Sequence, residues 1–489
     1  MIPLPLPTRG RGGDFPQVSG TGGQQVDILR LDYNYLMAEA VGDDQGIREI
    51  DLDFVRKRAG RFARDISRQR KAGELAFLRL PYDRAVQDQV AAVAQNVKAR
   101  FRNLVVLGIG GSALGTSALQ QALHPWVYNV YPEKGCPRLF VLDNIDPRFV
   151  ADVMEVLDPS ETAVCVVSKS GSTTETLAQY MIFKRWVEEV EGRAFKEHFF
   201  FITDPEKGPL REIAEKEGYV SFPVPPGVGG RFSVLSAVGL FPAACVGLDI
   251  HGICEGAARM DSICRVDSME ENPALLYAAL MYLMVIRKKK NIHVLLSYSN
   301  RLYGLTDWYR QLLAESLGKR FDLDGKEVHV GPTPIKALGV TDQHSQIQLY
   351  VEGPRDKVIT FLKVEDHGAN LVVPEGVEEH QALKFLEGHS LGEIMEAERV
   401  GTEFALKKAG RPSCTITFPR VTPFTVGQYI ILKQIAVTVM GRYFKVNPFD
   451  QPGVEEGKAA AFALLGREGY EEKRKEILEG LEKDLDLRI

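Results

Sequence analysis

The segment VNPFDQPGVEEGK at residues 446–458 places two amides, three carboxylates and a lysine around a turn that opens a helix. Pro452 suits the first helical position and Glu455 the first turn, so we expect Lys458 about one turn into the helix. An ammonium group on so fixed a backbone can exchange a proton with a reacting oxygen. The alternative is an exposed lysine paired with Glu455 at helical spacing, and this segment alone favours the alternative.

A second segment that could do chemistry is SKSGSTTET at residues 168–176, which follows a buried apolar run and leads into a helix. Clustered hydroxyls, a glycine and the amides of a helix N-terminus form a phosphate cradle, and Lys169 adds a positive charge. An ordinary capping box closed by Glu175 needs one hydroxyl. The segment has six, which favours phosphate. Because no Gly-Lys-Ser/Thr motif is present, we expect the phosphate to belong to a small metabolite.

The segment GIGGSALG at residues 108–115 also joins a strand to a helix, a layout in which backbone amides can approach an anion. It loosely fits the dinucleotide fingerprint, with Ala113 in the last glycine position. That fingerprint expects an acidic residue roughly 20 positions further on, whereas Asp143 is about 30 positions on. We therefore expect no nucleotide cofactor here.

Three single side chains complete the candidates. Arg231 follows paired glycines and could project a planar cation into a cleft, although a structural turn with an exposed arginine is an equal alternative. Glu315 ends a helix beside apolar residues, and both features disfavour a carboxylate charge, as suits a general base; the alternative is a rim glutamate paired with Lys319. His344 lies in a polar segment and could move protons near neutral pH, but a lone histidine is more often structural.

The elements that must position these side chains follow an α/β pattern. Short apolar runs, each followed by helical spacing, predict buried strands at residues 104–109, 138–143, 163–168, 198–203 and 292–297. Such runs without strict alternation, separated by helices, indicate parallel sheets covered on both faces. A second unit begins near residue 292, with further strands predicted at 346–351, 357–364 and 414–418.

The chain has 489 residues, which allows two or three domains. We predict a Gly/Pro-rich arm at 1–25, a first α/β domain with the phosphate loop at 26–285 and a second α/β domain at 286–466. An amphipathic helix at 467–489 is expected to pack on the body or on a partner subunit.

Composition and charge exclude several classes of partner. A formal charge of -5 gives no basic footprint for nucleic acid or for a membrane surface. The first 25 residues hold no apolar stretch typical of a signal peptide, and no later segment reaches roughly 18 uninterrupted apolar residues. The six cysteines never form the close pairs of a zinc site, and Cys165 and Cys414 are predicted as buried thiols. We therefore expect a cytoplasmic protein with reduced cysteines.

Taken in order, these segments resemble the glucose-6-phosphate isomerase (phosphoglucose isomerase) family over roughly residues 51–465. The most specific pieces are 229–240 and 446–458, which resemble two signature regions of the family. The run GPTPIKALGVTDQHS at 331–345 resembles its bacterial branch. The resemblance implies two doubly wound parallel-sheet subdomains of sugar-isomerase (SIS) type, with helices on both faces. It also implies interconversion of glucose 6-phosphate and fructose 6-phosphate in glycolysis and gluconeogenesis, through ring opening and a cis-enediolate, with neither metal nor cofactor.

The resemblance also implies roles for individual residues. Glu315 corresponds to the base that moves a proton between C2 and C1, Arg231 to the cation that steadies the enediolate, and His344 and Lys458 to the ring-opening groups. The phosphate site corresponds to Ser168, Lys169, Ser170 and Thr173, and the residues that line the sugar to Gly111, Ser112 and Gln451. The family is dimeric, so the resemblance implies a homodimer in which His344 is donated to the neighbouring site and a monomer is inactive.

Other functions stay open at this point. A non-catalytic sugar phosphate sensor needs the phosphate loop but not Glu315, His344 and Lys458 together, and such sensors often carry a DNA-binding segment, which is not apparent here. A nucleotide-dependent oxidoreductase would bind nicotinamide at residues 108–113. Among isomerases, activity on mannose 6-phosphate is the nearest rival. The sequence SGS at 170–172 departs from the bulkier animal pattern, which affects the expected phosphate geometry but not the expected reaction.

Overall fold

The computed structural model of the protein describes residues 27–481. The arm predicted at 1–25 and the last eight residues of the segment predicted at 467–489 lie outside the described residues. Within the described range, a helix runs over Glu471–Gly480, inside the predicted C-terminal segment.

The strands, in chain order, are β1 Arg30–Asp32, β2 Asn103–Leu107, β3 Arg138–Leu142, β4 Thr162–Ser168, β5 Phe199–Thr203, β6 Val220–Pro223, β7 Ile292–Ser297, β8 Lys319–Phe321, β9 Glu327–Val330, β10 Thr333–Leu338, β11 Lys357–Asp366 and β12 Ser413–Arg420. The helices are α1 Ala38–Val41, α2 Glu49–Ala72, α3 Arg84–Arg100, α4 Leu114–Leu123, α5 Pro147–Glu155, α6 Thr174–Glu191, α7 Pro209–Glu217, α8 Ala237–Cys245, α9 Ile250–Ile263, α10 Pro273–Lys288, α11 Asn300–Leu317, α12 Ile347–Glu352, α13 Leu391–Lys408, α14 Pro423–Phe444, α15 Glu455–Leu464 and α16 Glu471–Gly480.

The first sheet has the order β3-β2-β4-β5-β6, and every neighbouring pair is parallel. All residues of β2, β4 and β5 are buried, which confirms the prediction of continuous apolar strands covered on both faces. The chain winds to one side of β2 for β3 and then to the other side for β4. In such open sheets ligands bind at the carboxyl ends of the strands beside the reversal point. The loops after β2 and β4 lie there.

The second sheet has the order β1-β12-β11-β7-β10 and is parallel except for β1. Its four parallel strands repeat the winding of the first sheet, since β10 and β11 lie on opposite sides of β7. The predicted α/β class with two doubly wound sheets is confirmed. Strand β1 precedes the first sheet in the chain but pairs with β12, so the beginning of the described chain forms an edge of the second sheet.

The strand predicted at 346–351 is wrong, because this segment forms helix α12. Apolar Ile347, Leu349 and Val351 alternate, and a run this short fits either period. The structure leaves Leu349 exposed and buries Tyr350. A preceding 3-10 turn continues directly into the helix, since the Gln346 amide donates to the Asp342 carbonyl at 2.8 Å.

Helices join the two sheets into one body. Helix α11 packs on α4, and α14 packs on α9 and α10. Among residues 27–481, α14 is the one helix long and apolar enough to cross a membrane, and 94% of its apolar window is buried inside the protein. That composition is also typical of a central core helix, which is how α14 packs here.

Candidate active site

Two glycine loops touch each other at the centre of the molecule. A Cβ on Gly111, after β2, would lie 2.2 Å from the carbonyl carbon of Gly230, so a side chain cannot fit there. Gly110 has a φ of 56°, a left-handed conformation that favours glycine. The Ser233 hydroxyl donates to the Gly230 carbonyl at 2.7 Å and stabilises the second loop. The close approach places Arg231 beside the loop that carries Ser112.

Arg231 is a buried cation, with only 2% of its surface exposed, so the alternative of an exposed arginine on a turn is wrong. Its Nη1 donates to Oε1 of Glu315 at 2.9 Å and to Oε1 of Gln451 at 3.0 Å. Burial lowers the pKa of Arg231, and the carboxylates of Glu315 and Asp450 oppose that shift. An arginine nevertheless keeps its charge in proteins. A permanent cation therefore faces one carboxylate and one amide.

The other nitrogens of Arg231 fix its position. Nε donates to the Ser316 hydroxyl at 2.7 Å, and Nη2 donates to the carbonyls of Pro448 at 2.6 Å and Asp450 at 3.0 Å. Lys319 strengthens the same junction, because its ammonium donates to the Asp450 carbonyl at 2.9 Å. The segment that opens at residue 446 is thereby held against the end of α11.

Glu315 lies near the end of α11 with 27% of its side chain exposed. Its Oε2 accepts from Nε2 of Gln311 at 3.0 Å, so both carboxylate oxygens have donors. The expected apolar surroundings are therefore only part of its environment. The alternative pairing with Lys319 is not observed either: that ammonium donates to the Glu315 carbonyl, at 2.8 Å, and caps the helix end.

Gln311 is a residue that the sequence reasoning missed. It stands one helical turn before Glu315, and this spacing puts the two side chains on one face of α11. Its Oε1 is buried without a hydrogen-bond partner among the described residues. Its Nε2 would lie 3.0 Å from a Cβ on Gly110. Gln311 thus connects the carboxylate of Glu315 to the glycine loop.

The hydroxyl loop after β4 is formed as predicted. The Ser168 and Thr173 hydroxyls hydrogen-bond to each other at 2.7 Å, and the Ser172 amide donates to the Ser170 hydroxyl at 3.3 Å. Thr173, which precedes α6, makes no side-chain capping bond, so the capping-box alternative is not observed. The first amides of α6 remain available to an anion.

Lys169, in this loop, interacts electrostatically with Arg231. Partial desolvation lowers its pKa, Arg231 lowers it further, and Asp204 opposes both effects. An anionic ligand near both cations would stabilise their charged forms. The loop and Arg231 therefore belong to one electropositive region.

His344 is not brought to this cluster within one chain. It is exposed and ends a 3-10 turn that follows β10. Leu338 of β10 stands opposite Ser297 of β7, so His344 lies at the carboxyl end of the second sheet, where α11 begins. From Asn300 to Glu315 the helix rises about 22 Å, at about 1.5 Å per residue. His344 and Glu315 are thus at opposite ends of α11.

Lys458 lies in the first turn of α15, as predicted. Its ammonium donates to Oε1 of Glu455 at 2.9 Å, and its side chain is 55% exposed. This is the helical-spacing alternative considered from the sequence. Lys458 makes no hydrogen bond or ion pair with Arg231 or Glu315 in this structure, whereas Gln451 of the same segment does contact Arg231.

The cysteines and potential metal ligands add no second centre to the described part of the chain. Cys165 and Cys414 are buried, as predicted, and the six thiols are unbridged. Within residues 27–481, no group of three or more His, Cys, Asp or Glu side chains could hold a metal ion.

Two doubly wound parallel sheets, with two touching glycine loops, an arginine–glutamate pair and a hydroxyl loop, define an α/β protein of the sugar-isomerase class. The chain belongs to the phosphoglucose isomerase family, whose family model matches residues 86–476.

Individual relatives agree with this family. The glucose-6-phosphate isomerase of Carboxydothermus hydrogenoformans is 45% identical over 460 residues, which cover 92% of this chain and 97% of that protein. The glucose-6-phosphate isomerase of Rubrobacter xylanophilus is 42% identical over 401 residues, 81% of this chain and 90% of that protein. A crystal structure of a glucose-6-phosphate isomerase from Chlamydia trachomatis has a TM-score of 0.70 and 26% identity, covering 82% of this chain and 77% of that chain. A crystal structure of a hypothetical protein from Thermus thermophilus matches with a TM-score of 0.79 and 36% identity, covering 90% of this chain and 100% of that chain.

Proposed function

We propose that this protein interconverts glucose 6-phosphate and fructose 6-phosphate, the activity named for its relatives. The observation that carries the proposal is the Arg231–Glu315 pair at the end of α11, beside two glycine loops. Conversion of an aldose to a ketose needs a base, a cation for the developing oxyanion and acid–base help at the ring oxygen. The named side chains provide these groups with their own chemistry and use no metal.

The phosphate group is assigned to Ser168, Lys169, Ser170 and Thr173. Hydroxyls, an ammonium and the uncapped start of α6 all favour an anion there. Phosphate binding distant from C1 and C2 orients the sugar in the cleft and supplies binding energy for the chemical step. Gly111, Ser112 and Gln451 are assigned to the sugar, since Gly111 and Gln451 border Arg231.

Glu315 is assigned as the base that removes the proton from C2 of the open aldose and returns it to C1. As the proton leaves, negative charge develops on the sugar oxygens, and Arg231 stabilises this enediolate. The cation is already oriented by Ser316, Pro448 and Asp450, so little reorganisation is needed when the charge appears.

Lys458 and His344 are assigned to ring opening. The Lys458–Glu455 pair is exposed, and such pairs contribute little to stability, so releasing this ammonium toward a sugar costs little. His344 is assigned to the active site of a second copy, because α11 separates it from Glu315 of its own chain.

Exposed apolar side chains within residues 371–404 support a homodimer. The Gln343 amide donates to Glu398 at 3.0 Å and so links the His344 turn to α13. Four large apolar side chains of the adjoining segment are between 62% and 75% exposed, namely Leu371, Val377, Phe385 and Phe404. Aromatic side chains are enriched at protein interfaces, so we assign these side chains to the contact with a second copy of the chain. We include a cytoplasmic location in the proposal, in agreement with the unbridged thiols.

The proposal is tested by a coupled assay of the purified protein on fructose 6-phosphate with excess EDTA, in which glucose 6-phosphate is detected. We expect turnover of fructose 6-phosphate in EDTA, and the same assay repeated on mannose 6-phosphate measures the rival activity. Absence of turnover on fructose 6-phosphate would favour the sensor function, and turnover abolished by EDTA would contradict the metal-independent chemistry.

A further inference from the structure

A cavity of about 760 Å³ opens at the amino end of the second sheet. It lies between α2, α10, the end of α14 and the residues that precede β7 and β10. None of its lining residues belongs to the Arg231–Glu315 cluster or to the hydroxyl loop. Its rim residue Gly331 lies against Leu317 and Gly318, at the end of α11. The cavity is therefore a neighbour of the catalytic region with a lining of its own.

The lining is electropositive. Arg58, Arg61 and Lys445 contribute cations, and no lining residue is an aspartate or a glutamate. Arg58 donates a hydrogen bond to the Tyr443 carbonyl at 3.3 Å. The Arg58 guanidinium lies 5.1 Å from the ring centroid of Tyr443. Arg61 is exposed and has no ion pair within the same residues; the Arg61 guanidinium contacts only an aromatic ring. Two guanidinium groups thus lack a counter-charge from the described chain.

Nearby carboxylates lie outside the cavity. Lys445 pairs with Asp324 at 3.5 Å, and His329 pairs with Glu327 at 3.0 Å. Both pairs are largely exposed and are screened by solvent. They leave the charges of Arg58 and Arg61 uncompensated.

The remaining wall is apolar. Ile286 is exposed, Val285 and Val330 are partly buried, and Tyr282 stacks on Tyr443 with 4.7 Å between ring centroids. The volume lies within the range of about 300–1,000 Å³ typical of small-molecule sites. Arginine side chains bind phosphate oxygens through paired N–H groups.

We propose that this cavity binds a small organic phosphate with an apolar body, of the size of a nucleoside monophosphate. The phosphate would contact Arg58 and Arg61, and the apolar body would lie against Ile286, Val285 and Val330. The site is separate from the proposed sugar phosphate site, so the two ligands can bind to one chain at the same time.

Isothermal titration of the whole protein with AMP, in saturating fructose 6-phosphate, tests the proposal. We expect one AMP to bind per chain. Adenosine and inorganic phosphate should each bind at least tenfold more weakly, because adenosine lacks the phosphate and inorganic phosphate lacks the apolar body. Arg61→Gln should weaken AMP about tenfold, the effect of losing one charge-assisted contact, and leave isomerase turnover unchanged.

Arg64→Gln is the matched control, since Arg64 lies on the same helix, is exposed and pairs with Asp267 outside the cavity. It should bind AMP as the unmodified protein does. A useful site binds with a Kd of about 1 mM or below. The proposal is therefore overturned if no AMP binding is detected at AMP concentrations up to about 10 mM. It is equally overturned by equal binding to the Arg61→Gln variant, by competition with fructose 6-phosphate, or by adenosine or phosphate binding as tightly as AMP.

Discussion

Arg231 and Glu315 form a direct ion pair, with 2.9 Å between Nη1 and Oε1. The proposed enediolate stabiliser is thus already bonded to the proposed base. A sugar oxygen that gains charge competes with Glu315 and Gln451 for the same nitrogen. If Glu315 takes up the proton as proposed, its own charge disappears, and Arg231 is then free to pair with the enediolate when that charge is largest. In the proposed mechanism the pair therefore favours the transition state over the bound substrate.

Replacement of the carboxylate by an amide tests Glu315 as the base. Glu315→Gln should lower kcat by about 10³-fold, since general-base catalysis contributes about 10²–10⁴-fold, and should change KM less than about threefold. The reason is that the amide cannot accept the proton, while the phosphate loop is untouched. Steady-state kinetics measure both values, and the exposed Glu479→Gln is the control. Turnover of Glu315→Gln within about tenfold of the unmodified protein would contradict the assignment.

Arg231→Lys keeps the charge but removes the fork of donors. A lysine cannot serve Ser316, Pro448 and Asp450 together with the reacting oxygens, and buried carbonyls would lose their donors. We expect a loss of about 2–4 kcal/mol in the free energy of unfolding and about 10²–10³-fold in kcat.

Urea unfolding and kinetics at low temperature, where the variant is folded, separate these two effects. Arg320→Lys, at an exposed arginine paired with Glu327, should change stability by less than about 0.5 kcal/mol. If Arg231→Lys also stayed within that limit and kept full turnover, the five hydrogen bonds would have no functional role.

A methyl group tests the contact between the two glycine loops. Gly111→Ala places a Cβ 2.2 Å from the Gly230 carbonyl carbon, so the loops must separate and Arg231 must move with them. We expect kcat/KM to fall at least about 10²-fold, since small misplacements of catalytic groups can have effects of that size. Gly480→Ala, whose Cβ would meet no atom within 4 Å, is the matched control. Equal activity of both variants would show that the close approach is dispensable.

Local patterns predicted seven of the ten strands in the two five-stranded sheets and missed β1, β6 and β10. The first residues of β2, β4 and β5 lie within one residue of the predicted starts. The agreement arises because a continuous apolar run between turns has few alternatives to a buried strand in a layered fold. The segment of α12 was misassigned because six residues fit both periods. The hydroxyl loop after β4 was predicted correctly, since its location depends only on the strand that precedes it.

Contacts between distant segments could not be predicted from spacing. Arg231 meets Glu315 and Pro448, which are 84 and 217 positions away in the chain. Whether it faced solvent or a cleft was equally open from its own neighbours. For Lys458 the local pattern favoured pairing with Glu455, and the structure has that pair. The role proposed for this lysine therefore depends on the family resemblance.

A buried lysine in the second half of the chain has a predicted effect on stability. Lys433 of α14 lies 3.4 Å from the ring centroid of Tyr277, and within the described residues its ammonium has no hydrogen-bond partner. Burial lowers its pKa to about 7, from 10.5 in the unfolded chain. At pH values between about 7 and 10.5, Lys433 binds a proton in the unfolded chain but not in the folded protein. The contribution of Lys433 to the free energy of unfolding therefore rises with pH above 7, by up to about 1.4 kcal/mol per pH unit.

Lys433→Met should remove this slope and stabilise the protein by about 1–4 kcal/mol at pH 7, because a buried unpaired cation is replaced by an apolar chain. Urea unfolding between pH 7 and about 8.5 measures both effects. Above that window the Cys414 thiol, whose pKa is raised to about 11 by burial, gives the opposite trend. The exposed Lys475→Met is the control and should keep the slope. A destabilised Lys433→Met protein would indicate that the ammonium is paired through water.

Donation of His344 across a dimer predicts complementation between two inactive variants. His344→Ala lacks the ring-opening group and Glu315→Gln lacks the base. In a mixed dimer, one site receives His344 from the Glu315→Gln chain and has its own Glu315, so it is complete. Random pairing makes half of all dimers mixed, which restores about one quarter of full activity, as measured by the coupled assay after joint refolding. Mixing Glu315→Gln with Arg231→Gln is the control, because both residues come from one chain and no site is complete. Activity that stays at the level of that control would place His344 in its own chain's site.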